Sequence, residues 1–253
     1  MGLWLSGMLV FARLGGLFLS LPVVSAQGVP RYIAVLGAGA LTMVLAPALP
    51  YAEIPPSVGV LMVGVATELV LGLLMGSVVS ALFGSIALGC ELMGIQIGFG
   101  MAALFNPFLK ISSGALGTLA SWLAGLVFLG TGLHLHCLEI LGGSFALVPP
   151  GGAVELALAG PVVVEVVGLA IATGVSLAGP VLALVWLVNV FIAVLTRLAP
   201  RMNVYFSVGT VLTAAAGLGL YAAALPWMLT GHLTLLETGL AWMLRVLEAV
   251  NGG

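Results

Sequence analysis

Charged side chains are scarce in this chain of 253 residues, which has six Lys or Arg, eight Glu and no Asp. A water-soluble domain of this size carries roughly a quarter charged residues. Here the charged share is 6%, and hydrophobic residues make up 62%. So few charges cannot cover a globule that is surrounded by water. The composition therefore excludes an ordinary soluble protein and indicates an integral membrane protein.

Catalytic motifs are also missing from the sequence. It contains no Gly-x-Ser-x-Gly elbow, no phosphate-binding Gly-x-x-x-x-Gly-Lys-Ser and no His-Glu-x-x-His. The net charge of −2 provides no basic field that would attract nucleic acid. We therefore predict a protein that is not an enzyme and that binds neither a cofactor nor nucleic acid.

Candidate metal ligands are few and poorly placed. Cys90 and Cys137 lie in apolar stretches and indicate neither a disulfide framework nor a metal site. His134, His136, Cys137 and Glu139 are close in sequence, but on a helix His136 points away from the face shared by His134 and Cys137. Zinc needs more convergent ligands than this spacing provides. We expect these side chains to form hydrogen bonds at a helix end.

An all-α fold is expected, because lipid offers no water to satisfy open strand edges. The chain could supply about six spans of about 20 apolar residues each. The apolar segments are Leu3–Ser25, Tyr32–Leu49, Val58–Gly89, Leu116–Leu141, Val162–Leu198, Val208–Leu229 and Leu233–Val250. The predicted breaks are Gln27–Arg31, Pro47–Ser57, Asn106–Gly114, Pro149–Gly152 and Pro200–Asn203.

The charges at these five breaks alternate in sign. Arg31, Lys110, and Arg197 with Arg201 mark the first, third and fifth breaks, whereas Glu53 and Glu155 mark the second and fourth. Positive residues favour the cytoplasmic side of a membrane. The pattern predicts an extracytoplasmic N-terminus followed by regular alternation.

Small residues recur at four-residue spacing along three apolar segments. The stripes are Gly72, Gly76, Ser80 and Gly84; Cys90, Gly94 and Gly98; and Gly117, Ser121 and Gly125. Such stripes let helix backbones approach closely in lipid. Two interpretations are open: packing inside one subunit, or contact with neighbouring subunits.

Four ionisable residues fall inside apolar stretches, namely Arg13, Glu68, Glu91 and Glu165. An ionisable group in a membrane is costly and usually faces a partner or a watery cavity. Arg13 could form a buried structural pair with Glu68 or Glu91. The alternative is a proton or ion path, as in a small secondary transporter that uses intramembrane Glu residues.

The segment Gly94 to Gly114 combines glycines with bulky apolar side chains such as Phe99, Met101 and Phe105. Irregular backbone at membrane depth is tolerated only inside protein or along a cavity. An apolar constriction can also gate a channel by excluding water. The segment is either a connecting loop with a buried aromatic anchor or a gate.

At these residues the chain resembles the FliR/SctT family of type III protein export gates. The resemblance runs in order over nearly the whole length. It is carried by Phe11-Ala-Arg13, Val29-Pro30-Arg31, Glu68-Leu-Val-Leu-Gly72, Gly89-Cys-Glu91-Leu-Met-Gly94-Ile-Gln96-Ile-Gly98-Phe99, Asn106-Pro107, Gly132-Leu-His134 and Arg197-Leu-Ala-Pro200-Arg201-Met-Asn203. No single motif is diagnostic, but the ordered set is specific.

The resemblance implies a single domain over residues 1–253. Its N-terminal hairpins would occupy 1–150, with a central plug loop at about 98–114, and its C-terminal hairpins would occupy 151–253. The implied plug and gate residues are Gly98, Phe99, Gly100, Met101, Phe105, Asn106, Pro107 and Phe108. The implied assembly residues are Arg13, Glu68, Glu91, Arg197, Arg201 and Asn203, with the buried charges pairing between subunits.

The resemblance also implies partners and a location. FliP-like and FliQ-like subunits would join the chain in a closed, helical hetero-oligomer, and a FlhB-like switch protein would pack outside. Unfolded export substrates would cross the bacterial inner membrane through its centre, at the flagellar basal body. Many apolar helices would then pack as hairpins against partners instead of crossing lipid singly.

Overall fold

The computed structural model describes residues 2–22, 30–49, 57–98, 114–198 and 208–252. Its helices are α1 (Gly2–Ser20), α2 (Arg31–Leu45), α3 (Val58–Ile97), α4 (Ala115–Gly130), α5 (Leu133–Leu147), α6 (Ala159–Leu198) and α7 (Thr210–Val250). Two 3-10 turns, Ala46–Ala48 and Leu156–Leu158, complete the secondary structure of these ranges, which contain no strand. The predicted all-α fold is confirmed.

Three helices are unusually long: α3 and α6 have 40 residues each and α7 has 41. At 1.5 Å per residue, each is about 60 Å long. The hydrocarbon core of a bilayer is only about 30 Å thick. Each of these helices therefore extends well beyond the part that lipid can cover, even though its sequence is apolar almost throughout.

In the part of the chain that the structure describes, fewer helices could span a membrane than the sequence predicted. Among the described residues, α3, α6 with the preceding 3-10 turn, and α7 are long and apolar enough to cross a membrane. The α4–α5 pair, bent by 67°, would add a fourth span if it counts as one. The estimate of about six spans was wrong because α7 joins two predicted segments, and the helices of the first two segments are short, at Trp4–Ser20 and Tyr32–Ala48.

The predicted break at Pro149–Gly152 lies between α5 and α6, whereas the other four predicted breaks lie partly or wholly outside the described residues. α2 begins directly after Pro30, whose φ of −65° suits the start of a helix. A sixth break, at Thr131-Gly132, was not predicted. Gly132 has a φ of +75° and precedes α5. This left-handed conformation favours glycine, and it lets the chain turn sharply between two apolar helices.

Contacts divide the chain into two compact units. Unit 1 comprises Met1–Leu82, Val127–Gly168 and Leu235–Gly253. In it α1 packs on α2, where Gly37 faces the ring of Phe18. The end of α7 belongs to the same unit, because the N–H of Glu155 donates to the carbonyl of Val250 at 3.1 Å.

Unit 2 comprises Phe83–Leu126 and Leu169–Thr234. Its helices approach closely at glycines. A Cβ on Gly89 of α3 would come within 2.7 Å of the carbonyl oxygen of Gly174 on α6. Ile97 of α3 fills the space beside Gly217 of α7. The division of the chain into 1–150 and 151–253 stays a prediction.

Candidate functional site

A fully buried ion pair lies inside unit 1. Arg13 of α1 has no exposed surface, and the side chain of Glu68 of α3 is 4% exposed. The Arg13 Nε–H donates to Glu68 Oε2 at 2.5 Å, and Nη2–H donates to Glu68 Oε1 at 3.1 Å. This two-pronged geometry is the strongest form of an arginine–carboxylate contact.

The end of α5 supplies further partners for the guanidinium. Nη1–H donates to the hydroxyl of Ser144 at 3.0 Å, and Nη2–H donates to the carbonyl of Val148 at 3.0 Å. The ring of Phe145 lies under the guanidinium, with its centroid 4.4 Å from Cζ. Such stacking over an aromatic face adds attraction in a desolvated site. Arg13 therefore binds α3 and α5 at the same time.

Glu68 also has a third donor. The N–H of Gly151 donates to Glu68 Oε1 at 2.9 Å. Gly151 lies in the Pro149–Gly152 turn and has a φ of +78°, a conformation that favours glycine. The carboxylate thus accepts three hydrogen bonds from its surroundings, and the turn after α5 is fixed to α3.

Close packing of α1 against α3 allows Arg13 to reach Glu68. A Cβ on Gly72 of α3 would come within 2.9 Å of the backbone nitrogen of Leu17 on α1. A Cβ on Gly16 of α1 would come within 2.8 Å of the backbone nitrogen of Leu73. The two backbones are therefore almost in contact. The Gly72–Gly76 part of the first small-residue stripe packs inside one chain.

These contacts correct one expectation and decide between two alternatives. The resemblance implied that the buried charges pair between subunits, but Arg13 and Glu68 pair within one chain, because the glycines bring α1 against α3. The carboxylate that pairs with Arg13 is that of Glu68 and not that of Glu91. Because Glu68 is buried and accepts three hydrogen bonds, the cluster is suited to hold helices together and not to pass protons.

Glu91 lies in unit 2, at the base of the connection between α3 and α4. It is partly buried. The N–H of Gly114, directly before α4, points to Glu91 Oε1 at 3.5 Å. Gly94 faces the side chain of Leu116, and a Cβ on Gly117 would come within 3.4 Å of Glu91 Cβ. The start of α4 therefore lies against α3 around Glu91.

The remaining predicted residues are placed as follows. Gly98 follows α3, is exposed and has a φ of +104°. Arg197 is exposed in the last turn of α6, and Glu165 is exposed nearer its start. The other predicted residues, Phe99, Gly100, Met101, Phe105, Asn106, Pro107, Phe108, Arg201 and Asn203, lie outside the described residues.

Of the four side chains expected to form hydrogen bonds at a helix end, His136 forms one, whereas His134 Nδ1 is buried without a hydrogen-bond partner among the described residues. His136 is exposed, and its Nδ1 lies 3.3 Å from the carbonyl of Gly132, at the start of α5. Cys137 is buried, whereas Glu139 is exposed. Within the described ranges, no three His, Cys, Asp or Glu side chains converge on one point.

Sequence reasoning missed Ser144, Phe145 and Gly151 as parts of the Arg13–Glu68 cluster. The Pro149–Gly152 break signals a turn, but a backbone donor such as the N–H of Gly151 leaves no mark in the sequence. Ser144 donates to the carbonyl of Leu141 at 2.6 Å while it accepts from Arg13. Its position one turn before the break is its only sequence signal.

Known protein families and individual proteins match most of this chain. The model of a family described as bacterial export proteins, family 1, matches residues 4–239. The flagellar biosynthetic protein FliR of Caulobacter vibrioides is 29% identical over 219 residues, which cover 86% of this chain and 87% of that protein. FliR of Escherichia coli is 26% identical over 227 residues, with 88% and 87% covered.

A third relative carries a different name. The surface presentation of antigens protein SpaR of Salmonella typhimurium is 27% identical over 207 residues, which cover 79% of this chain and 75% of that protein. Its identity falls between those of the two FliR proteins.

Proposed function

Because this chain belongs to the family of bacterial export proteins, family 1, and is thereby a component of a type III export apparatus, we propose that it is a structural and gating subunit of the export channel. In this role it passes unfolded export substrates across the bacterial inner membrane, at the flagellar basal body. The observation that carries the proposal is the family match over residues 4–239, nearly the whole chain.

The proposed partners are FliP-like and FliQ-like subunits in a hetero-oligomer, with a FlhB-like switch protein outside it. Large apolar side chains on α6 support a covered position: Trp186, Leu187 and Val190 are 66%, 70% and 62% exposed in the single chain. Isolated apolar residues are common on protein surfaces, but contiguous patches mark interfaces with protein or membrane. Three helices of about 60 Å are also longer than lipid alone can cover, which favours contact with other subunits.

The proposed gate is the segment from Gly98 to Gly114. Phe99, Met101 and Phe105 are its candidate sealing side chains, together with Asn106-Pro107 and Phe108. Support comes from the ends of the segment: α3 ends at Ile97, directly before Gly98, and α4 begins immediately after Gly114, against α3.

Co-expression tests the assembly. The chain is produced together with the FliP-like and FliQ-like proteins of the same genome, solubilised in detergent and weighed by native mass spectrometry. We expect one copy of this chain inside a larger complex. A stable monomer or homodimer that ignores those partners would refute the proposal.

Deletion of residues 101–112 tests the gate. We expect a complex of unchanged composition whose closed channel leaks small ions, because the apolar seal is gone. An intact complex with no added leak would show that the loop is not the gate. A control variant keeps the length of this segment but has its apolar side chains replaced with Ser. This variant should also leak.

The second candidate function, a small secondary transporter, has one observation behind it: Glu91 is a carboxylate in an apolar helix that Arg13 does not neutralise. Glu68 does not serve this candidate well, because its carboxylate is already occupied by Arg13 and Gly151. A transporter would work when purified alone and would lose activity in Glu91→Gln.

A further inference from the structure

An open groove of about 690 Å³ lies within unit 2, between α3 and α6. Gln96 supplies its wall from α3. The wall from α6 consists of apolar residues, namely Leu182, Ala183, Trp186, Leu187 and Val190. A volume of several hundred Å³ is typical of sites that hold a small molecule. The groove is therefore large enough for a ligand that has apolar bulk.

The groove begins where α6 separates from α3. The two helices touch at Gly89 and Gly174, since a Cβ on Gly89 would lie 2.7 Å from the carbonyl oxygen of Gly174. Beyond this contact α6 contains Pro180. A proline inside a helix removes a backbone hydrogen bond and bends the helix. Such a bend accounts for the separation, because the groove starts directly after it, at Leu182.

A cation lies beyond the end of the groove. Arg197 is exposed in the last turn of α6 and forms no ion pair or hydrogen bond with any residue that the structure describes. It follows Val190 by about two helical turns, so the two residues lie on the same face of α6. The rise along the helix from Trp186 to Arg197 is about 16 Å.

We propose that the groove binds an acyl chain of an anionic phospholipid whose headgroup phosphate lies against Arg197. A guanidinium forms strong, often two-pronged hydrogen bonds with a phosphate, and basic residues beside membrane helices attract anionic headgroups. The acyl chains of one leaflet fill half of the hydrocarbon core, or about 15 Å. With its headgroup at Arg197, a lipid chain therefore reaches Trp186. The proposal rests on the membrane character of the chain and not on its role in a gate.

The lining of the groove suits a lipid chain better than a helix of another subunit. Helices that meet in a membrane do so at small residues, which let their backbones approach. Gly89 and Gly174 form such a contact inside this chain. In the groove, by contrast, the bulky side chains of Trp186 and Leu187 are 66% and 70% exposed. A thin, flexible acyl chain fits between such side chains and needs no hydrogen bond from them.

The test counts lipids that stay bound to the full chain, purified with the subunits that it retains. The micelles contain equal amounts of phosphatidylglycerol and phosphatidylcholine with the same acyl chains, and native mass spectrometry counts each bound lipid. Arg197→Gln removes the headgroup contact, and Ala183→Trp fills the groove. Arg245→Gln is the charge control, because it removes an exposed cation from α7. Ala172→Trp is the bulk control, at an exposed position of α6 outside the groove.

We expect the wild type to retain phosphatidylglycerol about fivefold better than phosphatidylcholine, the effect of one cation near a membrane surface. Arg197→Gln should lose this preference, and Ala183→Trp should retain neither lipid. Both controls should behave like the wild type. Gln96→Leu should keep the bound phosphatidylglycerol, because an acyl chain makes no hydrogen bond with the amide.

Three results would overturn the proposal. The first is equal retention of the two lipids by the wild type. The second is retention of phosphatidylglycerol by Ala183→Trp at the level of Ala172→Trp. The third is loss of a bound protein subunit from Ala183→Trp or Gln96→Leu with no change in bound lipid, which would show that protein covers the groove.

Discussion

Replacement of Glu68 with Ala should destabilise the protein more than removal of any exposed charge. The variant leaves Arg13 at zero exposure without a counter-charge, although Ser144 and the carbonyl of Val148 still accept from it. It also strands the N–H of Gly151, which now donates to Glu68. Loss of one member of a buried pair costs roughly 3–5 kcal/mol.

The cost comes from the unpaired charge and not from the value of the pair itself. A double variant, Arg13→Met with Glu68→Leu, removes both charges and keeps most of the volume. Such apolar replacements of buried pairs are often neutral or even stabilising. We therefore expect the double variant to lose clearly less free energy of unfolding than Glu68→Ala alone.

The assay is unfolding of the purified chain or complex in a series of denaturing detergent mixtures, followed by circular dichroism. Glu165→Ala is the matched control, because Glu165 is exposed on α6. Equal stability of Glu68→Ala and Glu165→Ala would refute the account of the cluster. A double variant less stable than Glu68→Ala would show that the ion pair itself supplies the stability.

Much of the helical organisation could be predicted from local composition. The Pro149–Gly152 cluster, which the sequence marked as a break, separates α5 from α6. Thr230-Gly231-His232 looked like another interruption, yet α7 continues through it. The hydroxyl of Thr230 donates to the carbonyl of Trp227 at 2.9 Å, so the polar side chain is satisfied by its own helix. The break at Gly132 was missed because Gly130-Thr131-Gly132 is a short interruption inside a long apolar run.

The chemistry of the cluster could be predicted only in part. That Arg13 needs an acidic partner follows from the cost of an unpaired charge in an apolar environment. The choice between Glu68 and Glu91 depends on which helices touch, and that is set by glycines 16 and 72, which let α1 and α3 meet. Spacing along the sequence does not contain this information. The proposed gate residues between 99 and 113 stay a prediction.

Three glycine variants extend the test to the backbone. Gly151→Ala should cost roughly 1–2 kcal/mol, because its φ of +78° is unfavourable for alanine, and the same unfolding assay measures the loss. Gly72→Ala and Gly84→Ala change the same residue type on the same helix but should act in opposite directions. A Cβ at Gly72 would collide with the backbone of Arg13, whereas at Gly84 it meets nothing within 4 Å. Alanine is the better helix former by about 1 kcal/mol, so Gly84→Ala should be neutral or stabilising. Gly72→Ala should instead lose roughly 1–3 kcal/mol, as overpacked sites do, because α1 must move and the Arg13–Glu68 pair must lengthen. If both variants unfold like the wild type, α1 and α3 are not in backbone contact, and the explanation given for the intrachain pair fails.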